Sequence, residues 1–99
     1  MNVKPISECR TLQELFVVPS RWTQHTSARD ARGNRTSLNN PHASCFCLYG
    51  GLTLLYGIGE KAKAVEYLIE AEHRDFVGYN DAHDTTHSDI LKLVTDLNI

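Results

Sequence analysis

The chain has 99 residues and a formal net charge of −2, with 10 Lys and Arg against 12 Asp and Glu. This length predicts one domain, over residues 1–99, with a modest hydrophobic core. The nearly balanced charge argues against a dedicated nucleic-acid-binding protein, because such proteins carry a basic stripe and a high pI.

The cysteines and the first residues indicate a compartment. Three cysteines are an odd number, which favours reduced thiols over a disulfide framework. The first ten residues contain no apolar segment of the kind found in a signal peptide. The mostly apolar stretch over residues 43–57 is shorter than the about 20 residues that cross a bilayer. We therefore expect a cytoplasmic protein without a membrane segment.

Apolar residues recur at helical spacing over residues 6–18, and Pro19 follows them. Thr11 and Glu14 have the spacing of a capping box, in which each residue bonds the backbone N–H of the other. The residue before a proline avoids the helical conformation. We predict a short amphipathic helix that ends before Pro19.

Residues 22–38 are polar and rich in threonine. Residues 30–34 supply turn chemistry, since Gly33 and Asn34 both tolerate a positive φ. The alternation before the turn and the short run after it predict a β-hairpin, with strands over about residues 22–29 and 35–38. Because both faces of this hairpin are polar, we place it at the edge of the domain.

The uncharged run over residues 43–57 contains only Ser44 and Thr53 as plainly polar residues. A helix that is apolar on every side is enclosed by protein on every side. Gly50 and Gly51 each cost about 1 kcal/mol of helix propensity relative to Ala, so we expect a neighbouring backbone to approach them closely. The run predicts a central helix.

Two further helices are predicted in the second half of the chain. Residues 60–74 form an amphipathic pattern, in which Glu70 and Arg74 are spaced to pair. The residues of this pattern predicted to face inward are Ala62, Val65, Leu68, Ile69 and Ala71. Residues 75–81 form an irregular passage with apolar anchors. The last helix begins at about Thr86, which has capping-box spacing to Asp89. The fold class is therefore α+β, a small and mostly helical domain with a central apolar helix and a peripheral β-hairpin.

Few residues offer catalytic or metal-binding chemistry. His83 and His87 lie four apart, but the pair shares a helix face only if one helix runs through both, and a helix start falls between them. They are weak metal candidates. Cys47 could act as a nucleophile, but a thiol within an apolar helix is usually inert. We assign no catalytic residue, no metal and no cofactor, and lean towards a protein that is not an enzyme.

Polar residues in the predicted hairpin and before the last helix are the candidates for binding. Trp22 stands beside Arg21 at the start of the hairpin, where it can serve as an interface anchor. The passage from Asn80 to Thr86 is either a capped loop–helix junction or a polar binding corner. The predicted binding residues are Trp22, His25, Arg29, Asp30, Arg32, Asn80, Asp81 and Thr86.

Several short motifs lie along the chain and can be compared with known families as a set. They are Trp22, Ala28-Arg29-Asp30 with Gly33, Cys47-Leu48-Tyr49-Gly50-Gly51-Leu52, and Asn80-Asp81 with Thr86, Asp89, Ile90 and Leu91. Together these motifs resemble an uncharacterised family of short bacterial and bacteriophage proteins. The resemblance covers about residues 12–97, and the chain departs from it by Gly51, where the family usually has Ala, and by Tyr79, where it usually has Trp. It implies a fold and a bacterial or phage setting, and no activity.

Three functions are compatible with these residues. Arginines cluster over residues 21–35 and acidic residues over 75–89, a separation of charge suited to a charged protein partner or to self-association. We therefore expect a non-enzymatic accessory factor that binds a protein, such as a phage protein that modulates a host or defence component. The alternatives are a protein that holds a small nucleotide-like ligand between the hairpin and residues 80–86, and a small thiol- or metal-dependent hydrolase.

Overall fold

Five α-helices and one two-stranded antiparallel hairpin form the fold in the computed structural model, which describes residues 3–99. This arrangement confirms the predicted α+β class. Short 3-10 turns at Ile6–Glu8 and Pro19–Arg21 flank the first helix. The elements in chain order are α1 (Leu12–Phe16), β1 (Ala28–Asp30), β2 (Ala43–Phe46), α2 (Leu48–Tyr56), α3 (Glu60–Glu72), α4 (Phe76–Asp81) and α5 (His87–Asp96).

The predicted capping box begins α1. The hydroxyl of Thr11 accepts a hydrogen bond from the Glu14 N–H at 3.1 Å, and the Glu14 carboxylate accepts one from the Thr11 N–H at 3.2 Å. The helix ends at Phe16, before Pro19, as predicted. Its three apolar side chains are fully buried, so this single turn and a half of helix contributes directly to the core.

The strands of the hairpin differ from those that the sequence predicted. Residues 28–30 pair with residues 43–46, whereas residues 35–38 contribute only an isolated bridge between Arg35 and Arg29. Burial explains the choice of partner, because β2 delivers Phe46 to the core with 1% of its surface exposed. Residues 35–38 contain one apolar side chain, Leu38, and cannot supply an equivalent buried face.

The predicted central helix is shorter than the uncharged run. Residues 43–46 form β2, and α2 begins only after Cys47, whose extended backbone and side chain cap the helix. The Cys47 Sγ accepts a hydrogen bond from the Gly50 N–H at 3.2 Å. Leu48 and residues 50–52 of α2 are buried, but Tyr49 is 39% exposed and residues 53–56 are half-buried. The prediction that the helix is enclosed on every side was therefore wrong, because only one face of its first half is buried.

The two glycines in α2 permit close packing, as expected. A Cβ on Gly50 would overlap the backbone carbonyl oxygen of Ser27. A Cβ on Gly51 would lie 2.9 Å from the ring of Phe16 and 3.0 Å from a methyl group of Leu15. The neighbour of Gly50 is backbone and cannot rotate away, whereas the neighbours of Gly51 are side chains that can move.

The remaining helices complete the core. Helix α3 turns Ala62, Val65 and Ile69 inward, but the prediction that Leu68 and Ala71 also face inward was wrong, because both are exposed. Residues 76–81, predicted to be irregular, form α4, since the Asp75 carboxylate accepts a hydrogen bond from the Gly78 N–H at 3.0 Å and caps the helix. Within residues 3–99, no helix is long and apolar enough to cross a membrane.

The last helix begins as predicted. Thr86 is its N-cap, and Thr86 and Asp89 form the expected capping box. Ile90 and Val94 are fully buried against the core formed with the other helices. Helix α5 contacts α1, so the last helix of the chain covers the first one.

We expect Gly50→Ala to destabilise the protein, because the added methyl group would overlap the Ser27 carbonyl oxygen. Overpacking typically costs about 1–3 kcal/mol. We expect a cost near the upper end of this range, because the neighbouring atom belongs to the backbone and cannot rotate away. The gain in helix propensity is about 1 kcal/mol. The expected net loss is about 2 kcal/mol in the free energy of unfolding, measured by urea denaturation. Gly59→Ala is the matched control, since nothing lies within 4 Å of a Cβ there. A Gly50→Ala variant as stable as the parent chain would contradict the close approach.

Candidate functional site

The side chain of Asn80 connects three parts of the chain. Its Oδ1 accepts hydrogen bonds from the indole N–H of Trp22 at 2.7 Å and from the backbone N–H of Leu48 at 2.9 Å. Its Nδ2 donates to the Thr23 carbonyl at 3.2 Å and to Asp81 Oδ1 at 2.9 Å. Asn80 is 1% exposed, and both donors and both acceptor positions of its amide are occupied.

Neighbouring contacts extend this junction to residues 24–25. The side-chain amide of Gln24 donates to the carbonyls of Asn80 at 2.9 Å and Ala82 at 3.0 Å. Asp81 Oδ1 accepts a hydrogen bond from the backbone N–H of His25 at 2.8 Å. His25 has a φ of 70°, which is uncommon for a residue other than glycine. We call this set of residues, Trp22 to His25 with Asn80 and Asp81, the asparagine junction.

The asparagine junction brings together four of the predicted binding residues, Trp22, His25, Asn80 and Asp81. Most of the hydrogen-bonding atoms involved are directed at one another, which is the pattern of a structural connection between α4, α2 and residues 22–25. A binding role for these four residues stays a prediction.

Arg29 and Asp30 shape the turn that follows β1. The guanidinium of Arg29 donates to Thr23 Oγ1 at 3.0 Å, to the Gly33 carbonyl at 3.1 Å and to the Gln24 carbonyl at 3.2 Å. Asp30 Oδ1 accepts from the backbone N–H groups of Asn34 at 3.0 Å and Arg32 at 2.9 Å. These N–H groups, that of Asn34 above all, hold the pKa of Asp30 below its ordinary value. The hydrogen bonds of Arg29 and Asp30 therefore hold the conformation of this turn.

An open groove lies beside this turn. It has a volume of about 420 Å³, and we call it the turn groove. A second groove, of about 390 Å³, lies against other residues of the same turn, including Gly33 and Cys45. The turn groove is lined by Asp30, Ala31, Arg32, Asn34, Asn40 and His42.

Two arginines of this region keep their charges unpaired. Within residues 3–99, the side chains of Arg32 and Arg35 donate no hydrogen bond, and neither takes part in an ion pair. Both residues are exposed. Arg21 and Arg29, the other two members of the arginine cluster, donate to backbone carbonyls and pack against the protein. Within the arginine cluster of residues 21–35, the positive charge available to a partner is therefore carried by Arg32 and Arg35.

Thr86 serves as the N-cap of α5. Its backbone N–H donates to Asp89 Oδ2 at 2.9 Å, and its Oγ1 accepts from the Asp89 N–H at 3.3 Å. The capped loop–helix junction was one of the two interpretations of this passage, and the contacts of Thr86 agree with it.

The two histidines that could have shared a metal do not share a helix. Helix α4 ends at Asp81 and α5 begins at His87, so His83 lies in the connection between them. His87 Nε2 lies 2.6 Å from the Phe16 carbonyl oxygen, and it carries the proton of that hydrogen bond because a carbonyl only accepts. In the part of the chain that the structure describes, no three His, Cys, Asp or Glu residues are grouped to hold a metal ion.

Cys47 is 7% exposed and is used to cap α2. Burial raises the pKa of the Cys47 thiol above its ordinary value, and the charge of Asp81 acts in the same direction against the hydrogen bonds that lower it. The thiol is therefore protonated at neutral pH and is a poor nucleophile.

Sequence reasoning missed Asn40 and His42, which line the turn groove. The Asn-Pro pair at residues 40–41 is a turn signal, and it marks where the chain reverses towards β1. Gln24 was also missed, and its contacts with α4 depend on tertiary structure that a local pattern does not reveal.

We expect Asn80→Ala to lower the free energy of unfolding by about 2–4 kcal/mol, because the Leu48 N–H and the Trp22 indole would both lose their acceptor. Each buried polar group left without a partner costs about 1–3 kcal/mol. Urea denaturation followed by the fluorescence of Trp22, the one tryptophan in the chain, measures the change. Asn39→Ala, at an exposed position, is the control. A loss below about 0.5 kcal/mol, as for an ordinary surface site, would show that the junction is not held by this side chain.

The turn predicts a dependence of stability on pH. Since the folded-state pKa of Asp30 lies below the unfolded value of about 4, its contribution is present above that pH and is lost as pH falls through the folded-state pKa. Asp30→Asn keeps an acceptor oxygen but removes the charge, so its stability should fall less steeply with acid than that of the parent chain. Denaturant midpoints between about pH 5 and pH 2 measure both slopes. Asp84→Asn, at an exposed aspartate outside the turn, serves as control, and identical slopes for the parent and Asp30→Asn would refute the prediction.

Comparison with known proteins places the chain in a family. The model of a family of unknown function, DUF6197, matches residues 10–97. No curated protein and no solved structure matches the chain. The match covers nearly the whole chain, and it confirms the membership of an uncharacterised family that the resemblance implied. The chain belongs to the DUF6197 family.

Proposed function

We propose that this protein is a non-enzymatic accessory factor that binds an acidic segment of a protein partner through the turn groove and the neighbouring Arg32 and Arg35. The observation that carries the proposal is that these two exposed arginines form no ion pair within residues 3–99, although the charge of Arg32 acts on nearby Asp30, whereas the other polar candidates are bonded internally. Arginine suits this role because its planar guanidinium binds carboxylates with two parallel hydrogen bonds.

The geometry of the turn supports binding by a preformed surface. Asp30 bonds two backbone N–H groups of the turn, and Arg29 bonds the Gly33 carbonyl within it. A loop that is already ordered loses less conformational entropy when it binds than a loop that orders on contact. Asn34, Asn40 and His42 add polar side chains along the groove and can accept or donate hydrogen bonds to a peptide backbone.

The structural contacts of the candidate nucleophile and base, within residues 3–99, favour a binding role over catalysis. The Cys47 thiol is buried and protonated, and His87 is bonded to the Phe16 carbonyl. The resemblance to short bacterial and bacteriophage proteins adds the setting to the proposal. We place the protein in the cytoplasm of a bacterium, or of the host if a phage encodes it, where it modulates a host or defence component.

Charge reversal at the loop tests this proposal. We expect Arg32→Glu combined with Arg35→Glu to weaken binding to a glutamate-rich peptide by at least about tenfold, since opposite charges become like charges. Fluorescence anisotropy with the labelled peptide at about 50 and 200 mM salt measures the affinity, and binding by the parent chain should fall as salt rises.

The matched control is Arg10→Glu combined with Lys92→Glu, which changes the net charge equally at exposed residues outside the groove. Weakening that is equal in the two variants would show that only net charge matters and would contradict a site at the groove. The same pair of variants, used as baits in a bacterial lysate, identifies which captured proteins depend on Arg32 and Arg35.

The volume of the turn groove favours a small ligand as a second candidate. About 420 Å³ falls within the roughly 300–1,000 Å³ typical of ligand pockets. Arg32 could bind the phosphate of a nucleotide-like ligand there, instead of between the hairpin and residues 80–86, as first expected. Thermal-shift screening with a panel of nucleotides separates the two functions, because a ligand at 100 times its Kd adds about 2.7 kcal/mol of stability. No shift with any nucleotide would remove this candidate.

A further inference from the structure

Helix α3 presents a second apolar face, directed away from the core. Ala64, Tyr67, Leu68 and Ala71 are all exposed, with 73% of Tyr67 and 46% of Leu68 accessible to solvent. Their spacing of three, four and seven residues places them on one stripe of the helix. The opposite stripe of α3 is already buried in the core, so this helix is apolar on two sides. We call the exposed stripe the α3 outer face.

The charges that flank the α3 outer face are ordered along the helix. Lys61 and Lys63 lie towards its N-terminus, and Glu70 and Glu72 towards its C-terminus, while Glu60 is the first residue of the helix. The order of these two lysines and two glutamates is the reverse of the one that the helix dipole favours, and Glu60 is the acidic residue of the first turn that agrees with the dipole. Within residues 3–99, no side chain of α3 forms an ion pair, and the pairing of Glu70 with Arg74 that the spacing allows is not made.

A second copy of α3, running antiparallel, complements this pattern. With the two helices crossing at Tyr67, Lys63 of one copy lies opposite Glu70 of the other, and Lys61 lies opposite Glu72. Ala64 lies opposite Ala71, two small residues that allow the helix axes to approach closely. In a parallel pair each lysine would face a lysine and each glutamate a glutamate, which opposes association.

We propose that the α3 outer face is a self-association surface, through which two copies of the chain form a symmetric antiparallel dimer. A two-fold axis through the crossing point uses the same patch on both copies, so one set of residues supplies both halves of the contact. The dipoles of the two helices also oppose each other in this arrangement, with each N-terminus near the other copy's C-terminus. The dimer uses no residue of the turn groove, so it can be tested independently of the proposed function.

The size of the α3 outer face limits the stability of the dimer. Helix α3 has 13 residues and is therefore about 20 Å long. One helix face of this length buries less surface than a standard stable interface of about 1,600 Å². The dimer is therefore concentration-dependent and exchanges with the monomer.

Sedimentation velocity on the intact chain, at concentrations from about 10 µM to about 1 mM, tests the proposal. We expect the weight-average mass to rise from the 11.1 kDa of the monomer towards twice that value. Lys63→Glu places like charges opposite each other at Glu70 of the second copy, and Glu70→Lys does the same at Lys63. Each single variant should stay monomeric over this range.

Mixing the two variants gives the decisive result. A Lys63→Glu chain paired with a Glu70→Lys chain restores opposite charges at both symmetric contacts, so the mixture should dimerise although neither variant does so alone. Glu8→Lys, an exposed residue outside α3, is the control and should dimerise as the parent does. Circular dichroism verifies that every variant is folded.

Three results would overturn the proposal. One is a parent chain that stays monomeric at about 1 mM, the top of the range. Another is a dimer that persists unchanged in both single variants, which would place the interface on another face. A dimer that both single variants weaken, but that their mixture does not restore, also overturns the antiparallel register.

Discussion

The carboxamide of Asn80 joins parts of the chain that are far apart in sequence, and the surrounding structure depends on that connection. It bonds the first turn of α2 through the Leu48 N–H and holds residues 22–23 through Trp22 and Thr23. Helix α2 starts with no polar side chain other than that of its Cys47 cap, so the Asn80 oxygen supplies an acceptor that the local sequence lacks. The amide is buried and all of its hydrogen-bonding positions are occupied. A buried amide with only some of these hydrogen bonds would destabilise the fold more than the absence of a polar contact.

This connection also decides which polar residues remain available at the surface. Residues 22–25 are committed to α4, and Arg29 reaches back to the same segment through Thr23 and Gln24. The turn after β1 is therefore held in place by the hydrogen bonds of Arg29, and its unpaired positive charges, within residues 3–99, are those of Arg32 and Arg35. The same arrangement therefore bonds residues 22–25 and Arg29 internally and leaves the charges of residues 32–35 exposed.

The elements that sequence predicted well are those with local causes. The capping boxes at Thr11 and Thr86 and the end of α1 before Pro19 depend on residues within one helical turn, and the structure has all three. The need for glycine at residues 50–51 was also predictable, since an unfavourable residue in an apolar helix implies close packing. The partner of β1 was not predictable, because the local sequence allows a strand at residues 35–38 and at residues 43–46, and only burial in the folded core favours residues 43–46.

The candidate site was predicted in part. Trp22, His25, Asn80 and Asp81 do lie together, yet their contacts with one another depend on the distance between remote segments, which periodicity does not contain. The switch from strand to helix at Cys47 was hidden for a similar reason. Uncharged apolar residues are compatible with both a strand and a helix, so their composition does not show where one ends and the other begins. Cysteine is also not among the residues that usually mark a helix start.

The placement of the three cysteines gives the molecule built-in reporters of local opening. Cys9 is 3% exposed beside α1 and Cys47 is 7% exposed at the start of α2, whereas Cys45 on β2 is half-buried. A thiol-modifying reagent reaches the first two only when their surroundings transiently open. The rates of labelling at the two positions therefore report separately on the fluctuations of the N-terminal helix and of the strand-to-helix switch, without any engineered label.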